Sequence, residues 1–140
     1  MNRSFRLTGL LRLRTLQEEQ AAAALARANA DTARATERHR ETRDVMAGTI
    51  FPAHADENVW RAAVADRAAM ASLVTEAAVA AQVVARRSEI AAAEWLAART
   101  TVATLDKLAE RHEVQVRAED ERLEQLVLDE AASRRHQEES

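Results

Sequence analysis

From Asp56 to about Arg135 the chain contains neither glycine nor proline, and it is dense in Ala, Leu, Glu and Arg. These are the residue types with the highest helix propensity. Read in sevens from Trp60, one position carries Trp60, Arg67, Val74, Ala81, Ser88, Trp95, Val102, Ala109, Val116 and Leu123. The position three residues on carries Ala63, Met70, Ala77, Val84, Ala91, Ala98, Leu105, His112, Glu119 and Leu126. Most of these side chains are apolar and the register never slips. That is a heptad seam, which supercoils against a partner helix. Ordinary globular helices run about 8–20 residues, so a longer uncapped run points to a coiled coil.

The rest of the sequence supplies one partner helix and one break. Residues 3 to about 46 read as a helix, with Leu7, Leu10, Leu11, Leu13 and Leu16 at its start and an alanine-rich run after. Its own seam is blurred, because alanine marks a face weakly. Gly9 weakens the first turns, and Thr15-Leu-Gln-Glu18 has the form of a capping box. The leucines continue across Gly9, which favours the earlier start. Glu37, Arg38, Arg40, Glu41, Arg43 and Asp44 read as a solvated stretch supported by pairs three or four apart.

The break is Gly48-Thr-Ile-Phe-Pro-Ala-His-Ala-Asp56. Gly48 suits a left-handed helix cap, Pro52 holds Phe51 extended, and Asp56 suits an N-cap. Met46, Ile50 and Phe51 are expected to cover the tip. The fold class is therefore all-α: one domain over 1–140, two long helices in an antiparallel coiled-coil hairpin, a turn at about 47–56, and a longer C-terminal helix at about 57–136.

Folding about residue 52 places Phe5 opposite Arg99 and Arg14 opposite Ile90. Everything after about Thr104 then lies beyond the first helix, a free segment on the order of 50 Å. Residues 1–16 carry Arg3, Arg6, Arg12 and Arg14 without an acid. From Glu119 onward acids dominate: Asp120, Glu121, Glu124, Asp129, Glu130, Glu138 and Glu139 against Arg122, Arg134 and Arg135. A basic arm and an acidic tip meet at the same end. Either this is incidental surface asymmetry, or that end inserts into a partner.

Composition narrows the function classes. The hydrophobic share is 47%, but aromatics are only 3%, and alanine supplies much of the rest. A thin core follows, since burying a methyl gains little at about 25 cal/mol per Å² of apolar area. There is no cysteine, which rules out disulfides and thiolate zinc sites. A net charge of −3 gives no global bias towards nucleic acid. No run is expected to reach the ~18 apolar residues of a membrane span. Arginines interrupt the N-terminal leucines, so no secretory signal is expected and the chain reads as cytoplasmic.

No catalytic constellation is present. Two glycines cannot build a phosphate loop. His39, His54, His112 and His136 lack ligand-spaced companions, and there is no Glu-x-x-His pair. His112 on the seam reads as a polar register device. Trp60 and Trp95 read as packing anchors rather than stacking platforms, since neither lies in a basic groove. Val79, Val83, Ile90 and Leu96 form a second apolar stripe off the seam. It fits docking of a partner, an early part of the long region folding back over it, or dimerisation.

The run Leu105-Asp-Lys-Leu-Ala-Glu-Arg-His, then Glu119, then Leu128-Asp-Glu-Ala-Ala-Ser-Arg-Arg is similar to the end of the FliJ family of flagellar export proteins. Phe5-Arg-Leu with Leu10, Leu11, Leu13, Arg14, Glu18, Glu19 and the alanine-rich run resembles that family's start. Asp106 stands where Glu is usual, and His112 where another charged residue is common.

The resemblance implies a cytoplasmic component of the flagellar type III export apparatus, peripheral to the inner face of the membrane and serving motility and chemotaxis. It implies no enzyme activity, no cofactor and no metal. It implies a likeness to the central stalk of rotary ATPases, with the terminal end of the coiled coil entering the ring of the export ATPase FliI and promoting its assembly. The export gate protein FlhA and export chaperones are the further implied partners; nucleic acid is not. Arg6, Leu10 and Arg14 would meet the ring from the short helix. Leu105, Lys107, Leu108, Arg111, Arg122, Leu126, Asp129 and Glu130 would do so from the long one. The chain is expected to be a monomer. The alternatives are a homo-oligomeric coiled-coil scaffold that uses the seam between chains, and a membrane-surface or nucleic-acid binder that uses the basic first helix.

Overall fold

The computed structural model describes residues 4–138. Arg3 and Glu139, counted above among the terminal charges, lie outside the described residues, as does the start of the first helix expected at residue 3. Two helices account for nearly all of the rest: α1 (Thr8–Gly48, 41 residues) and α2 (Glu57–Glu138, 82 residues). They form the expected antiparallel hairpin with the longer C-terminal arm. By internal packing the chain divides into residues 19–97 and the described residues of 1–18 with 98–140.

In the unit 19–97, α2 is one continuous helix, so nothing folds back over Val79, Val83 and Ile90. Asp56 caps it as expected: the Val59 amide donates to Asp56 Oδ1 at 2.9 Å. The seam positions of α2 from Ala63 to Trp95 are half-buried, except Ala77, which is buried at 7% exposure. Facing them, α1 has a seam of its own: Leu25, Thr32, His39 and Met46 every seventh residue, with Ala21, Ala28, Ala35 and Thr42 beside them. The helices are pinned by polar contacts. Ser88 donates to Asn29 Oδ1 at 2.5 Å. The Thr32 hydroxyl shares its proton between Ala28 O at 2.9 Å and Val84 O at 3.3 Å across the seam. Ser88, a polar interruption of the seam in the sequence, is thus one of the groups that holds the pairing.

The turn differs from a simple bend. Residues 49–56 run alongside the first turns of α2. The Phe51 ring lies 5.2 Å from Trp60, and the Arg67 guanidinium sits 5.4 Å over the same ring. The Thr49 hydroxyl points at the Met70 sulfur, 3.3 Å away. The first turns of α2 therefore pack on the connecting segment, and α1 begins to pair only near Met70. Trp60, half exposed, anchors the turn and not α1. Ile50, expected to help cover the tip, is 89% exposed and covers nothing. Gly48 does not take the left-handed conformation, as no glycine has positive φ. The helix instead ends where Pro52 and the Phe51 contact pull the backbone into an extended path.

In the unit formed by residues 4–18 and 98–138, Thr8 opens α1: its amide and hydroxyl both bond the Phe5 carbonyl, at 3.1 and 2.6 Å. No second start occurs at Thr15, whose hydroxyl bonds back to Leu11 O at 2.9 Å inside the helix. The Phe5 ring meets His112, with centroids 5.7 Å apart. This corrects the expected pairing of Phe5 with Arg99 by nearly two heptads. The cause is the turn, which uses up the start of α2 before α1 can pair. The seam is covered through Val116, and every residue of 121–138 is exposed. That uncovered run is about 27 Å of helix at 1.5 Å per residue, in place of the longer one expected from Thr104.

The core is thin. Among the described residues only Ala77 and Leu105 are buried. Surface pairs three or four apart stud the helices, including Glu37 with Arg40 at 2.7 Å and Glu57 with Arg61 at 2.5 Å. The Arg40 hydrogen bonds hold the Glu37 carboxyl below its ordinary pKa, and the Arg40 guanidinium is raised in turn by Glu37. Contrary to the sequence expectation, α2 does contain a stretch long and apolar enough, by length and composition, to cross a membrane. Residues 68–85 hold a single charge, Glu76, and many alanines. One face of that stretch is the seam that packs on α1.

Candidate partner-binding surface

A helix shows its seam on one side, and the sequence continues that seam where α1 has ended. Leu123 and Leu126 occupy the two seam positions after Glu119 and are 50% and 54% exposed. Val127 and Leu128 add a neighbouring apolar edge, 66% and 63% exposed. These are the largest apolar side chains of the last turns, and all of them face solvent. Around them the charges alternate: Arg122 and Glu124 flank Leu123, and Asp129 and Glu130 follow Leu128. Asp129 accepts from Gln125 Nε2 at 2.8 Å, and Glu130 is ion-paired with Arg134, so these two acids are already oriented along the helix.

The other positions read from the sequence fall in the same packing unit. Arg6, Leu10 and Arg14 are exposed at the start of α1, four residues apart, and Arg14 donates to Gln17 Oε1 at 2.9 Å. On α2, Lys107, Leu108 and Arg111 are exposed. Leu105 is different. It is 7% exposed on the seam, so its side chain fills the interior and offers little surface of its own. It supports the helix from which Leu108 and Arg111 project. Val127 is an addition that the sequence reading missed, although a heptad reading that included the position beside the seam would have found it.

Among the described residues no group of His, Asp or Glu side chains could hold a metal ion. His112 sits at the covered end of the seam against Phe5, a packing position. The surface can do one kind of chemistry: it offers a narrow apolar ridge framed by charges to another helix or to a groove.

No curated protein and no solved structure matches the chain. A family model does, the one described as the flagellar FliJ protein, and it spans residues 3–140. The match covers the terminal motifs and the whole hairpin together, and the chain therefore belongs to the FliJ family, components of the flagellar export apparatus.

Proposed function

We infer that this chain is a stalk-like factor that promotes assembly of the export ATPase ring and couples it to the export gate and chaperones. The observation that supports this most is the exposed seam at Leu123, Leu126 and Val127, large apolar residues kept in register and covered by none of the described residues. A ring lumen that takes a helical end would cover them. Arg122, Asp129 and Glu130, with Arg6, Leu10, Arg14, Lys107, Leu108 and Arg111, frame that contact. In this reading FliI is the direct partner of the terminal end. FlhA and the chaperones are partners of the same apparatus, and they hold the chain at the inner face of the membrane. The chain performs no catalysis itself.

From about Met70 to His112 the seam that a parallel scaffold would need packs within the chain, which favours the hairpin reading over that alternative. The test is to mix the chain with the export ATPase at a concentration too low for the ATPase to form rings alone. The intact chain should raise hydrolysis and hexamer formation, and a chain ending at Asp120 should raise neither. Equal effects from the two chains would remove the tail from the contact.

A further inference from the structure

The outer face of α2, opposite the seam, carries a second pattern. At alternating spacings of three and four along that face stand Glu76, Val79, Val83 and Arg86, all exposed. The order is acid, valine, valine, base. Read backwards on an antiparallel copy it becomes base, valine, valine, acid. Each residue then meets its complement: Val79 against Val83, and Glu76 against Arg86, twice over. Farther out the stripe is uncharged. Ser72 would meet Ile90, and Ala69 would meet Ala93. Off the stripe, Arg87 would lie beside Thr75 and Glu89 beside Leu73, so no like charges oppose one another.

We propose that this face pairs two copies of the chain, antiparallel and two-fold symmetric about the level of Ala81, through Val79 and Val83 with Glu76–Arg86 pairs at both ends. Two-fold contacts are self-complementary by construction: if one residue touches a second, the second touches the first. Here the chemistry suits it at the centre and at both ends of the core: valine meets valine, and acid meets base. Neither Glu76 nor Arg86 has a side-chain partner among the described residues, so both are available. Val79 is 53% and Val83 47% exposed. Small residues at Ala69, Ser72 and Ala93 permit close approach, at the short end of the 8–10 Å interaxial range. The contact runs about 36 Å along the helix. One helix face of small side chains buries less than the roughly 800 Å² per partner of a standard interface, so the pairing is weak and concentration-dependent. The proposal stands independently of what the tail binds.

The test uses the full chain in sedimentation equilibrium from about 1 µM to several hundred µM, a range that brackets weak dissociation constants. The mass should double across this range. Glu76→Arg alone and Arg86→Glu alone each place like charges at both ends and should remain monomeric. An equimolar mixture of these two variants should pair again, because each supplies what the other lacks. The doubly exchanged E76R/R86E chain should also pair. Both substituted side chains are exposed, so helix content by circular dichroism should be unchanged in every variant. A wild-type chain that stays monomeric throughout overturns the proposal. So does a dimer that survives in both single variants, since it would use another surface.

Discussion

The middle and the end of α2 carry the same heptad seam but differ in burial. In the middle the seam alternates small residues, Ala77, Ala81 and Ala91, with larger ones, Val74, Val84 and Trp95, and all are at least half-buried. At the end they are large, Leu123 and Leu126, and they are exposed. Burial here follows the presence of a partner helix and not the hydrophobicity of the side chain. Small residues where α1 is present let two backbones approach. Leucines left exposed on the tail seam are the side chains that the proposed contact would cover, and they distinguish the tail from a helix end whose seam is polar.

The sharpest way to break the contrast is to truncate one leucine from each region. Leu105→Ala should cost about 2–5 kcal/mol, the usual range for a buried leucine. Leu126→Ala should cost within about 0.5 kcal/mol, as exposed substitutions do. Urea unfolding followed by circular dichroism gives both values, and equal losses would mean the tail is covered within the chain. Next in size, Asp56→Ala should cost about 1 kcal/mol by removing the cap that starts α2. The melting temperature reports it, and no change would mean that the turn contacts of Phe51 alone position the helix.

A smaller effect of opposite sign is expected at the start of α1. A methyl added at Gly9 meets open space, so Gly9→Ala should stabilise by up to about 1 kcal/mol. The smallest effect concerns pH. The Glu37 pKa is depressed by Arg40, so its contribution is present above the unfolded carboxyl range and lost as pH falls through the folded value. The group is fully exposed, and Glu37→Gln should therefore flatten the acid limb of the stability curve only slightly. A large change would mean a buried role that the helix surface does not show.

How much of this was legible in the sequence varied with the residues involved. The α2 seam from Ala63 to Val116 could be read because no glycine or proline disturbs its period and because Val, Met, Leu and Trp recur on it. The α1 seam was hidden: Thr32, His39 and Thr42 are polar, and Ala21, Ala28 and Ala35 resemble the alanines around them. Only the spacing of seven betrays it. The register could not be read because it depends on the course of residues 49–56, and nothing in their composition says that Phe51 lies on Trp60 and Arg67. Of the candidate surface, the exposed charges and Leu126 were legible from the pattern. The burial of Leu105 was not, since it depends on how far α1 reaches along α2.

The most direct test exploits the absence of cysteine. A single thiol is placed at Ala77, inside the seam, or at Leu126, on the tail, and its alkylation rate is measured with and without the export ATPase. Ala77→Cys should react slowly in both conditions. Leu126→Cys should react rapidly alone and at least about tenfold more slowly with the ATPase, a protection equivalent to about 1.4 kcal/mol. A tail thiol that is already slow in the isolated chain, or that reacts equally fast with the ATPase present, would contradict an uncovered seam awaiting its partner.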